Sequence, residues 1–178
     1  MKNGKRPSLR RLLIVALATS LPLSVMAAAP GAASAASCNT VATGSWSKNC
    51  PVGPGDASNL VEAVQAVLFW YSILRNYPTC NPMSYDGVFG TNTKDATECF
   101  QSHTGLSVDG EVGSQTWGKM QSFLEPNGAC QGNWCYFNFN GLTNSAIWRQ
   151  WTPDGVGGVW YVQGVNVNWA QMNTGGPD

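Results

Sequence analysis

One histidine, His103, ten carboxylates and six cysteines are the side chains of this 178-residue sequence with the widest chemical reach. A Ser-His-Asp relay needs a histidine held against a nucleophile. His103 has no nucleophile motif beside it, and the chain contains no G-x-S-x-G. Its expected place is near the C-terminal end of a helix, where the negative end of the dipole favours a cation. A Cys-His pair needs an unpaired thiol, and zinc hydrolysis needs about three protein ligands. One histidine and no C-x-x-C pair do not supply them. There remains the carboxylate pair of glycoside hydrolysis, a chemistry that many folds host. Asp86 and Asp109 are better explained as turn formers, and Glu62, Glu98, Glu111 and Glu125 acquire no role. The chain is therefore read as non-enzymatic, with no catalytic residue, no metal site and no cofactor.

The cysteines point to another use. Cys38, Cys50, Cys80, Cys99, Cys130 and Cys135 all follow a basic start (Lys2, Lys5, Arg6, Arg10, Arg11), an apolar run from Leu12 to Met26 and a small-residue stretch from Ala27 to Ala36. That order predicts a secretory signal peptide over residues 1–36, cleaved after Ala35 or Ala36. The apolar run is too short for a membrane span, which takes about 20 residues. An even cysteine count in an exported chain reads as a disulfide framework. Six cysteines allow fifteen pairings; proximity along the chain suggests Cys38–Cys50, Cys80–Cys99 and Cys130–Cys135. Past residue 36, five basic residues (Lys48, Arg75, Lys94, Lys119, Arg149) face ten acidic ones, a net charge of −5. This balance argues against nucleic acid, which selects clustered Lys and Arg, and against anionic lipid. A monomer, secreted and either extracellular or wall-associated, is expected.

The elements that must carry these residues follow from periodicity. Residues 37–57 are rich in Ser, Gly, Asn and Pro and read as a disulfide-tied irregular lead-in. A helix starts near Asp56 or Ser58, carries Val61, Val64, Leu68 and Tyr71 on one face, and stops before Pro78. Then Asp86-Gly87-Val88-Phe89-Gly90-Thr91-Asn92-Thr93 is echoed, 23 positions on, by Asp109-Gly110-Glu111-Val112-Gly113-Ser114-Gln115-Thr116. The shared pattern, D-G-x-[FV]-G-x-x-T, combines a tight Asp-Gly turn, an apolar plug, a second glycine and a helix cap. Helices are predicted after each copy, from about Thr91 to Thr104 and from about Ser114 to Leu124. The fold class is mainly α: a compact three-helix bundle with two D-G-x-[FV]-G loops, plus a small C-terminal β-hairpin region and disulfides.

The spaced run Val61-x-x-Val64-Gln65-x-x-Leu68, Asp86-Gly87-Val88-Phe89-Gly90-x-x-Thr93, Ala96-x-x-x-Phe100-Gln101-x-x-x-Gly105-Leu106-x-Val108-Asp109-Gly110-x-Val112-Gly113-x-x-Thr116-Trp117 resembles the peptidoglycan-binding-like domain of bacterial wall hydrolases. The likeness covers residues 58–124. It departs in the longer segment from Arg75 to Tyr85, with Pro78, Cys80 and Pro82, and at Thr97, where the family often has an aliphatic residue. It implies a wall-binding accessory module with peptidoglycan as partner. Gln65 and Gln101 match motif positions and, with Tyr85 and Asp86, are candidates to line a groove; either glutamine could equally be a buried amide that ties loops together.

Residues 125–178 fall outside the likeness and hold five of the eight tryptophans. Ala146–Trp151 and Val159–Gln163 flank a Gly/Pro/Asp turn, a hairpin signature, and Val165–Trp169 alternates like a third strand. Trp148 and Trp160 are candidates for a sugar-facing surface; the alternative is a small aromatic core. The function expected is non-catalytic peptidoglycan binding. The alternatives are a small wall hydrolase with unidentified carboxylates, or a secreted protein-interaction module on the same scaffold.

Overall fold

The computed structural model describes residues 38–40, 42–140, 142–151, 158–163, 169–173 and 175. The expected signal peptide, the turn over 152–157 and residues 165–168 of the expected third strand lie outside the described residues.

Helix α1 spans Asn59–Arg75. Ser58 is its N-cap, its hydroxyl accepting from the Val61 N–H at 3.3 Å, and Asn76 closes it in a left-handed conformation. Every residue from Asn59 to Leu68 is buried, so α1 is surrounded. This accounts for apolar residues that overflow a single stripe. Helix α2 spans Thr91–Thr104 and ends at Gly105, φ +74°. Helix α3 spans Ser114–Gln121, shorter than the expected run to Leu124. The Ser122 hydroxyl donates to the Lys119 carbonyl, and the Asn140 N–H takes the Phe123 carbonyl at 2.7 Å, drawing the chain into a sheet.

That sheet corrects the mainly α expectation, since its strands hold nearly as many residues as the three α-helices. Strands β1 (Leu124–Gln131), β2 (Trp134–Phe139), β3 (Leu142–Trp151), β4 (Gly158–Gln163) and β5 (Trp169–Gln171) form an antiparallel meander in chain order. The expected hairpin is its centre, with Ile147 opposite Val162 and Trp148 opposite Tyr161. Strand β1 lacks an alternating pattern because it bulges between Pro126 and Cys130, with Gly128 at φ +80°.

Helices and sheet close on one core that includes Leu60, Val64, Phe100, Trp117, Phe139, Ile147 and Val162. The lead-in belongs to it. A 3₁₀ turn, Trp46–Lys48, places the Trp46 ring edge-to-face against Trp117 at 5.8 Å and Trp160 at 5.4 Å. Gln121 accepts from the Trp46 N–H and donates to the Gly44 carbonyl. Disulfides join Cys38 to Cys50, Cys80 to Cys99 and Cys130 to Cys135. Among the described residues no helix is long and apolar enough to cross a membrane.

Candidate functional site

The two D-G-x-[FV]-G loops are held by two equivalent amides. Gln65 Nε2 donates to Asp86 Oδ1 (2.8 Å), the Val88 carbonyl and Thr93 Oγ1, while its Oε1 accepts from the Gly87 N–H. Gln101 repeats this with Asp109 Oδ1 (2.7 Å), the Glu111 carbonyl and Thr116 Oγ1, and its Oε1 accepts from the Asp109 and Gly110 N–H groups. Gly87 and Gly110 sit at φ +66° and +73°, and a Cβ on Gly110 would meet Lys94 Cγ at 2.9 Å. The bond from Gln65 holds the Asp86 carboxyl below the usual carboxylate range; the Glu111 N–H, then Gln101, does the same for Asp109.

These contacts correct the expected groove. Gln65 and Gln101 are fully buried, and their polar atoms serve two separate loops, so they are the loop-tying amides of the alternative reading. The exposed Asp86 carboxylate is tied into its own turn, accepting from the Val88 N–H. Tyr85 packs edge-on against Phe69, and burial pushes its phenol far above the ordinary value. Trp160 is a core residue, 2 % exposed, its Nε1–H donating to the Gly44 carbonyl and its ring against Phe137. Trp148 lies in β3, and its side chain is outside the described residues.

A different cleft, of about 310 Å³, opens where the helices end. Arg75 lies in the last turn of α1, His103 in the last turn of α2 and Lys119 in the last turn of α3, and all three line it. Each matches its own helix dipole, whose C-terminal end carries about half a negative charge. Tyr71, Tyr77, Thr104 and Phe123 complete the wall, and among the described residues no carboxylate does. The Arg75 guanidinium and the Lys119 ammonium lie 5.8 and 5.9 Å from the centroid of the Phe123 ring. Among the described residues neither cation is in an ion pair, whereas Lys94 is paired with Glu98.

The other walls are fixed from behind. His103 packs tilted against Tyr77, centroids 4.0 Å apart and planes 31° apart, and its Nδ1–H donates to the Cys99 carbonyl at 2.9 Å, which leaves the other ring nitrogen, Nε2, free of that bond. Burial raises the Tyr71 pKa, with Arg75 opposing, so its hydroxyl stays a donor at neutral pH. The sulfurs of Cys80 and Cys99 come within reach of a His103 nitrogen, but as a disulfide they offer no thiolate to a metal.

No local motif marks this cleft, because its residues come from three helix ends. The available signal was that three of the six basic or histidine residues past residue 36, Arg75, His103 and Lys119, fall in the last turns of the three α-helices, one per helix; individually each reads as dipole matching.

Comparison with known proteins agrees with the helical part. Residues 58–120 match the family model described as "Putative peptidoglycan binding domain". A Kitasatospora aureofaciens protein described as "Uncharacterized protein in bpoA1 3'region" is 34% identical over 116 residues, which cover 62% of this chain and 89% of the relative. Through its three-helix region, the chain belongs to the peptidoglycan-binding domain family.

Proposed function

We propose that this is a secreted, non-catalytic peptidoglycan-binding protein, monomeric and needing no cofactor, that uses the cleft at the helix ends. The observation that carries this is the convergence of Arg75, His103 and Lys119 on one carboxylate-free, aromatic-walled cavity within a peptidoglycan-binding domain. Export is supported by the basic, apolar and small-residue order of residues 1–36 and by three disulfides. On this reading residues 37–57 and 125–178 are supports that complete the core of the binding domain. A further contact face around Trp148 on β3 is proposed beside the cleft.

The non-catalytic reading is supported at Asp86 and Asp109. Both carboxyls are held in turns and below the usual range, whereas a glycosidase acid needs a raised value. Co-sedimentation of the oxidised protein, residues 37–178, with purified sacculi tests the proposal. The protein is expected in the pellet with no loss of wall turbidity. Full recovery in the supernatant would sink wall binding and favour a protein partner; falling turbidity would favour the hydrolase.

A further inference from the structure

We infer that the helix-end cleft binds a free carboxylate of the peptidoglycan stem peptide, with Arg75 and Lys119 as its two charge partners. The inference rests on the wall-binding reading above and specifies which part of the wall is held. Dipole matching explains one basic group at each helix end. It does not explain why all three basic groups line one cavity together with three aromatic rings and, among the described residues, no Asp or Glu. An arginine and a lysine on the same side of the fold, without carboxylate partners among the described residues, are donors for an incoming oxyanion.

The surroundings select among the anions and sugars of a wall. Past residue 36 the chain carries ten acidic against five basic residues, so its surface away from the cleft repels a long polyanion. Attraction inside the cleft is felt only within about 8 Å at physiological ionic strength. A single terminal carboxylate gains the local attraction without laying further charge over the acidic surface; a phosphate polymer does not. A stacked sugar ring is disfavoured too. The Phe123 ring already carries Phe139 stacked at 5.3 Å and two cations within 6 Å, so it has little open face. The half-open wall beside it is Tyr77, with the largely buried Tyr71 behind, a surface suited to the amide and alkyl parts beside a carboxylate.

The test uses the oxidised chain, residues 37–178, and a soluble muramyl peptide in two forms, with a free C-terminal carboxylate and with that carboxylate converted to carboxamide. Calorimetric titration is expected to show the acid bound about tenfold or more tighter than the amide. Arg75→Ala with Lys119→Ala should erase that preference while the protein stays folded, its thermal midpoint lowered only by the loss of two helix-end cations, because Arg75 is exposed and Lys119 half-exposed. Arg75→Lys should retain part of it. Equal binding of acid and amide would overturn the inference. So would sacculi that lose the protein once phosphate polymers are stripped from them, since the anion would then be phosphate. If sacculi retain the protein but the double variant binds as well as the parent, this inference fails and wall binding stands. If sacculi never retain the protein, both fail.

Discussion

Phe123 and Phe139 stack with centroids 5.3 Å apart and planes 12° from parallel. One ring lines the cleft at the helix ends and the other is buried on β2, so the sheet sets the position of the cleft wall. Phe139→Ala is expected to cost about 3–5 kcal/mol in urea unfolding, as for other buried phenylalanines. It should also weaken wall binding measured below the new transition. Unchanged binding in the folded variant would separate the sheet from the site.

Gln65 and Gln101 make the loops sensitive to an isosteric change. Gln65→Leu or Gln101→Leu keeps the volume but orphans loop N–H and carbonyl groups. Each is expected to destabilise the fold by about 2–4 kcal/mol, since an unsatisfied buried polar group costs about 1–3 kcal/mol. Loss of similar size from both, read by denaturant unfolding, would reflect their equivalent bonding. A difference above about 2 kcal/mol would show that one loop relaxes and the other cannot.

Acid should loosen the same loops. The Asp86 and Asp109 carboxyls titrate below their ordinary value in the folded state. Their contribution is complete above the unfolded value, near about pH 4, and is lost as pH falls through it toward the depressed folded values. Both side chains are largely exposed, so the effect per carboxylate is modest. Asp86→Asn with Asp109→Asn should flatten the fall in thermal midpoint between about pH 5 and pH 2, a scale set by the ordinary carboxylate value. An identical slope would assign acid sensitivity elsewhere.

The Cys80–Cys99 bridge ties the segment before the first loop to α2, across a separation of 19 residues. Cys80→Ser with Cys99→Ser should cost about 3 kcal/mol, about 10 °C in thermal midpoint. His103 packs against Tyr77 beside that bridge, so binding to sacculi is expected to fall more than the loss of fold predicts. Equal loss of the two would leave the bridge with a purely structural part.

Much of the helical region was legible in sequence. Ser58, Gly105 and the two Asp-Gly turns are local signals, and the residues that read them out are neighbours along the chain. Strands β1 and β2 were hidden. Pro126 and Asn127-Gly128 resemble breakers, yet a bulge absorbs them while Leu124 to Pro126 and Cys130 to Gln131 still pair with β2. Trp160 sits among β-formers, Val159-Trp160-Tyr161-Val162, that read alike as a sugar-facing strand or a small core, and only the position of Trp46 shows which side of the sheet is covered. The cleft was the least legible, because Arg75, His103 and Lys119 acquire a common meaning only when three helices end together.

The edge-to-face pair of Trp46 and Trp160 also sets a schedule. Trp160 donates to Gly44 across a separation of 116 residues, so the lead-in can meet Trp117 and Gln121 of α3 earlier but is fully covered only once β4 has been made. Contacts of such range form late and slowly. A chain delivered from its N-terminus therefore keeps one side of its lead-in uncovered until β4 emerges. Cys38 and Cys50 can meet early, but the tryptophan cluster that seats their loop is complete only when Trp160 joins Trp46 and Trp117.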